Sequence, residues 1–149
     1  FKAASRPILP VVGAGRAAIV HVATAADVMA RLAMGAGEAG LYALADPRHD
    51  GYTLRELLGE AARAVGNPAR FCTIPSAILL GAGKACAWWG ALRGTAPIFT
   101  AGKAREMLFP DWTVRPEEAL PAALYQENIG ILRGFAETVA WYRAAKWLV

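Results

Sequence analysis

Two residue spacings in this 149-residue sequence could do chemistry. Gly13-x-Gly15-x-x-Ala18 follows the apolar run Ile8–Val12 and matches G-x-G-x-x-G/A. In that pattern, glycines let a pyrophosphate approach the backbone at a helix N-terminus. Leu41-Tyr-Ala-Leu-Ala-Asp46 adds an acid at a strand end, where a ribose hydroxyl would be held. Two features oppose a cofactor there. The residues after Gly15 favour a strand where a helix is needed, and Asp46 lies 28 residues beyond Ala18 rather than about 20. The competing reading is a glycine turn joining two strands. The second spacing is Tyr142-x-x-x-Lys146. On a helix the two side chains share a face, and an ammonium beside a phenol makes a general acid/base. It has no evident Ser or Thr partner, and Trp141 and Trp147 crowd it, so the expectation is an amphipathic C-terminal helix.

The remaining reactive side chains are sparse. His21 lies in an apolar stretch, where a hydrogen-bonded structural imidazole is expected ahead of a ligand or base. His49 sits in the polar turn Pro47–Asp50 and is expected in solvent. Glu117-Glu118 and Asp46/Asp50 read as helix and turn residues. Cys72 and Cys86 have no metal spacing and no CxxC. They are expected as small buried apolar side chains, in a protein of a reducing, cytoplasmic compartment. No metal site and no catalytic residue is assigned.

The elements that must position these groups follow from local signals. Ile8–Val12 and Ala17–Val22 read as strands. Thr24, with Asp27 three residues on, opens a helix carrying Val28 and Leu32 on one face, stopped by Gly35 and Gly37. Leu41–Ala45 reads as a buried strand. Thr53-Leu-Arg-Glu56 is a full capping box. Leu54, Leu57, Leu58, Ala61 and Val65 then follow at helical spacing until Gly66-Asn67-Pro68. Phe71–Ile74 is a short strand, Pro75 to about Leu92 an apolar helix, and Thr100 caps a helix to about Leu108. Pro116-Glu-Glu118 opens a further helix. Leu132–Trp147 is the last, with Leu132, Phe135, Ala136, Val139 and Tyr142 as its stripe.

Composition narrows the class. The chain is 56% apolar and 19% charged, with net charge +4. This excludes disorder, coiled coil and collagen. The length suits one domain. Basic residues are scattered, with no aromatic interleaving, so no nucleic-acid footprint is present. Ile74–Leu92 is apolar enough to raise a membrane span. However, it holds Pro75, Gly81, Gly83 and Lys84, and a mid-bilayer lysine costs about 2.5–3.5 kcal/mol. A helix packed within a protein or at an interface is expected instead.

Taken in order, the segments resemble the C-terminal half of an extended or atypical short-chain dehydrogenase/reductase, the NAD-dependent epimerase/dehydratase family. Gly13-Ala-Gly15 with Ile19-Val-His21-Val22 resembles the family's G-x-G turn and F-V-H-V-D-D strand. Leu41-Tyr-Ala-Leu resembles its Y-N-L strand, and Tyr52-Thr-Leu-Arg-Glu-Leu57 the opening of the next helix. Ile74-Pro75 resembles its V-P, and Trp112 its D-W. Tyr125, Ile129, Ile131, Gly134 and Phe135 are similar in spacing to W-x-P-x-I-x-L-x-E-G-L, and Thr138, Trp141 and Tyr142-Arg143 to T-x-x-W-Y-R. The departures also inform. Ala23 and Thr24 replace the two aspartates. Ala17, with Arg16 adjacent, stands where an arginine meets a substrate phosphate. Glu127 and Arg133 replace the proline and glutamate of P…E-G.

The resemblance implies an α/β fold, an α-rich fragment with a few short strands and about five helices. Residues 1–149 would form the C-terminal substrate-binding lobe of a Rossmann-type enzyme. Its NAD or NADP would be bound mainly by an absent N-terminal half, which holds the cofactor loop and the Ser/Thr-Tyr-Lys set. The chain opens Phe1-Lys2 without an initiator Met, in keeping with that expectation. The intact protein would oxidise, reduce or epimerise a small hydroxylated or carbonyl substrate, and this polypeptide alone would be catalytically silent. Arg16, His21 and Trp88 are the candidate substrate-side residues. Apolar Ile78, Leu79, Trp88 and Trp89 favour a hydrophobic substrate over a nucleotide sugar. The expected partners are a small-molecule substrate, the missing half and a homo-oligomeric contact, without nucleic acid or a membrane span. Two other readings stay open: a non-catalytic binding or regulatory domain of the same family, and a small stand-alone dinucleotide-binding domain using Gly13 and Gly15.

Overall fold

The computed structural model describes residues 1–148. These form a small α/β fold of short strands and, among the described residues, five α-helices. Strand β1 (Ile8–Val12) pairs in parallel with β4 (Arg70–Ile74), with Leu9 opposite Phe71 and Val12 opposite Ile74. Pro10 has no N–H to donate, which is tolerated because β1 is paired on one side only. A smaller sheet has the order β3-β2-β5. Its central strand β2 (Arg16–Ala17) runs antiparallel to β3 (Tyr52–Thr53) and parallel to β5 (Asp111–Trp112).

The core is divided by β1. Leu9 packs with Ala61 and Ala62 of α2 (Leu54–Val65), beside Phe135 of α5 (Ile131–Ala144). Val12, three residues along and on the other face, packs with Leu79 of α3 (Ser76–Arg93) and Ala104 of α4 (Ala101–Met107). Much of this core is alanine. The largest fully buried apolar side chains are Leu9, Val28 and Val139, each worth roughly 1.5–3 kcal/mol on burial. All five tryptophans, by contrast, are more than half exposed.

Local signals set most element ends as expected. Thr53 and Glu56 form the reciprocal capping box, and Gly66 closes α2 at φ 82°. Thr100 caps α4 by accepting from the Lys103 N–H. Other expectations are corrected. The strand read over Ala17–Val22 stops at Ala17, because its partners β3 and β5 are each two residues long. Helix α1 (Val22–Ala33) therefore starts earlier than expected, with His21 rather than Thr24 at its N-cap. Thr24 is buried, and its hydroxyl joins distant chain instead: it donates to the Glu127 carbonyl at 3.2 Å and accepts from the Ile129 N–H at 3.1 Å. Leu41–Ala45 is not a buried strand. Its ladder pairing is a single bridge, Ala43 to Ala119, and Leu41 is 87% exposed, while Ala45 at the other end is buried and its carbonyl accepts from the Tyr125 hydroxyl at 3.2 Å. The helix read from Pro116 is one turn, Pro116–Glu118, because Pro121 follows too soon to continue a hydrogen-bond ladder. Leu132, expected on the buried stripe of the last helix, is exposed, while Gly134 and Val139 are the buried positions. Cys72 and Cys86 are exposed and not buried, because Cys72 alternates with the inward-packing Phe71 on β4 and the glycine-lined contact of α3 leaves Cys86 uncovered. No described helix is long and apolar enough to cross a membrane.

Candidate functional site

The smaller sheet builds an apolar cleft. Ala17 lies between Tyr52 and Trp112 in register, so these three side chains share one face of the sheet. Leu54 and Leu57 from the start of α2, and Met107 and Phe109 after α4, complete an apolar hollow of about 240 Å³. Phe109 and Trp112 pack ring to ring at 4.9 Å. Gly15 forms part of the wall. A Cβ there would stand 2.3 Å from the Phe109 carbonyl oxygen, so only glycine lets β2 approach the 109–110 backbone this closely.

The polar side of the cleft is an ionic and hydrogen-bonded network around Arg16. Its Nε donates to the Asp50 carbonyl at 2.7 Å, and Nη2 donates to the Gly51 carbonyl at 2.7 Å and to Asp50 Oδ2 at 3.0 Å. Nη1 is the guanidinium nitrogen left without a partner among the described residues. Arg48 extends the network to Glu56 at 2.8 Å and lies 4.7 Å over the Tyr52 ring. Glu56 is held at a pKa of about 2, first by the N–H and hydroxyl of Thr53 and then by Arg48. Beneath them Asp46 is 1% exposed. It accepts from the Tyr52 hydroxyl at 2.5 Å and from the Arg48 N–H at 2.9 Å. Burial, then the hydrogen bond to Asp46, pushes the Tyr52 phenol well above its ordinary value. Tyr52 is thus a fixed donor and not a group poised to move a proton at neutral pH.

Arg16, His21 and Trp88 are not gathered into one site. Arg16 lines the apolar cleft. His21 caps α1 through Nδ1, which accepts from the Ala23 N–H at 3.4 Å, and its Nε2 lies 3.6 Å from Glu137. Its ring packs against Gly134, where a Cβ would approach within 3.0 Å. His21 therefore fastens α1 to α5, in keeping with the structural reading of this imidazole. Trp88 stands exposed on α3. Tyr142 and Lys146 do not form a helical pair. Helix α5 ends at Ala144, Lys146 lies beyond it at φ 58°, and the Tyr142 ring packs on Phe1 and Trp147. Sequence reasoning missed Tyr52, Phe109 and Met107 as cleft residues. The only local sign was Tyr52 standing one residue before the capping box.

The glycine turn also tests the fit of a dinucleotide. Gly15 leads into β2 and not into a helix, so no ring of free helix N–H groups faces it. Asp46 is consumed by Tyr52 and Arg48 and cannot hold a ribose. The Gly13–Asp46 region of this chain does not fit a nicotinamide dinucleotide. Among the described residues no group of His, Cys, Asp and Glu could hold a metal ion.

Comparison with known proteins gives one informative likeness. No family model matches the chain, and no solved structure matches it. A curated protein, ceramide reductase of Caulobacter vibrioides (strain NA1000 / CB15N), is 40% identical over 147 residues, covering 98% of this chain and 45% of that protein. The chain thus spans less than half the length of this relative.

Proposed function

We propose that this chain is the substrate-side lobe of a reductase of the short-chain dehydrogenase/reductase type, and that its substrate is a carbonyl-bearing or hydroxylated lipid. The observation that carries the reading is the 40% identity, along 98% of the chain, to a protein named as a ceramide reductase. The cleft supports the same substrate class. Its floor and walls include Leu54, Leu57, Met107, Phe109 and Trp112, and its charged lining residues are Arg16 and Glu106. An apolar hollow with a few polar groups at one edge suits a ligand with a hydrocarbon chain and a polar head. Arg16 Nη1 and the neighbouring carbonyls of Asp50 and Gly51 would orient the head, while Phe109 and Trp112 cover the chain. The cofactor, NAD or NADP, belongs in this reading to residues beyond the chain, because the glycine turn here does not fit it. Residues 1–149 alone are then without activity.

The test uses the protein in its full natural length, with consumption of NADH or NADPH as the readout. Turnover of a long-chain lipid ketone, but not of a nucleotide sugar, is the expected result. Trp112→Ala should raise KM for the lipid roughly tenfold with kcat little changed, as for a contact that holds ground state and transition state alike. Absence of turnover with every carbonyl lipid tried, or a KM indifferent to Trp112→Ala, would overturn the reading.

A further inference from the structure

Helix α3 is built inside out. Its buried positions are Leu79, Gly83 and Gly90. A Cβ on Gly83 would lie 2.7 Å from the Thr100 carbonyl oxygen, and one on Gly90 would lie 2.6 Å from the Pro97 ring. The glycines thus bring the α3 backbone directly against residues 95–101. The large side chains go the other way. At 100° per residue, Ile78, Ala82, Ala85, Trp89 and Leu92 fall within an arc of about 80°, on the side away from that packing. Ile78, Trp89 and Leu92 are all more than half exposed, as is Trp88 beside them, and Ile98 in the loop returning to α4 is 97% exposed. In an ordinary surface helix the apolar stripe faces the core; here it faces out.

The charges around this stripe have one sign. Residues 61–105 contain no Asp or Glu, yet they contain Arg63, Arg70, Lys84, Arg93, Lys103 and Arg105. Arg63 and Lys103 pair with Glu60 and Glu106 at the borders of the span. Arg70, Lys84, Arg93 and Arg105 have no acidic partner among the described residues. Lys84 and Arg93 lie on opposite flanks of the apolar arc, and the Arg93 guanidinium sits 4.5 Å over the Trp89 ring. Exposed tryptophans with cations at their margins suit the boundary between lipid headgroups and acyl chains. The absence of acid suits an anionic surface.

We propose that the outer face of α3 docks this protein on the surface of an anionic lipid bilayer, lying in the interface without crossing it. The cations hold headgroup phosphates, and Trp88, Trp89, Ile78 and Leu92 enter the acyl boundary. This goes beyond the reductase reading and stands whether or not the cleft takes a lipid.

Cosedimentation of the full-length protein with vesicles tests it. One set is phosphatidylcholine alone; the other contains 30 mol% phosphatidylglycerol, each at low and at high salt. Binding to the anionic vesicles is expected. Charge reversal in Lys84→Glu/Arg93→Glu and loss of apolar groups in Trp89→Ser/Leu92→Ser should each weaken it about tenfold or more. High salt should weaken the wild type as well. All four substituted side chains are exposed, so circular dichroism should report an unchanged fold. Failure of the wild type to bind, or binding that both variants retain, would overturn the proposal. So would a sedimentation-velocity dimer that Trp89→Ser/Leu92→Ser converts to monomer, because the face would then belong to a second copy of the chain.

Discussion

Helices α2 and α3 lie on the two sides of the same parallel strand pair and solve the packing problem in opposite ways. In α2 the segregation is conventional. Ala61, Ala62, Leu58 and Val65 pack around Leu9, while Arg55 and Arg63 lie on the water side. Its first turn is closed by Thr53 and Glu56 and its last by Gly66. In α3 there is no side-chain cap and no acid in the first turn, and the buried line is made largely of glycine. The contrast separates two jobs. One helix spends its apolar face on holding the fold together; the other uses its smallest residues for that and leaves its largest free for something outside the chain.

The largest break in that contrast should come from filling the glycine line. Gly83→Val puts a branched side chain against the Thr100 and Ala101 backbone, and a destabilisation of about 2–4 kcal/mol in urea unfolding is expected. The exposed positions of the same helix should give less than about 0.5 kcal/mol. A Gly83→Val protein as stable as wild type would mean that α3 does not dock through its glycines.

Next comes the buried pair on the α2 side. Tyr52→Phe removes the donor from Asp46 Oδ2 and leaves a buried carboxylate oxygen short of a partner, at a cost of about 1–3 kcal/mol. The same measurement reads it, and a neutral outcome would show that water reaches Asp46.

The smallest effect sharpens the comparison through pH. Glu56 has its pKa lowered from 4.5 to about 2, so the folded state favours its charged form. Its contribution is complete above the unfolded value and is lost as pH falls from about 4.5 towards 2. Melting temperatures of wild type and Glu56→Gln should differ most above pH 5 and converge near pH 2. A gap that persists unchanged to pH 2 would remove the ionised carboxylate as its cause.

The same contrast explains what could be read from sequence. The bounds of β1 and α2 and the start of α3 follow from signals within a few residues: Gly13, the Thr53 box, Gly66 and Pro75. Helix α2 also declares its buried face, because polar and apolar residues alternate at helical period. Helix α3 carries apolar or small residues on nearly every side, so periodicity could not say which side is covered; that depends on where residues 95–101 return. The failures elsewhere have the same origin. Thr24 serves Glu127 and Ile129, Asp46 serves Tyr52, and Ala43 bridges to Ala119, and none of these partners is visible from neighbouring sequence. Arg16, read from sequence as a substrate-side candidate, lines the cleft, but Phe109 and Met107 reach it only through the turn after α4. The glycine motif and the Tyr142–Lys146 spacing matched chemical patterns whose meaning depends on the next element. That element is a strand in one case and the end of a helix in the other.

The most direct test of the account compares KM for a lipid ketone presented in anionic vesicles with KM for the same lipid dispersed in detergent, using the full-length protein. Trp112→Ala is expected to raise KM in both presentations, while Trp89→Ser/Leu92→Ser is expected to raise it only in vesicles. If both variants raise KM equally in detergent, the cleft and the outer face of α3 are not separate sites. If the α3 variant changes neither value while Trp112→Ala changes both, the docking role falls and the substrate cleft stands.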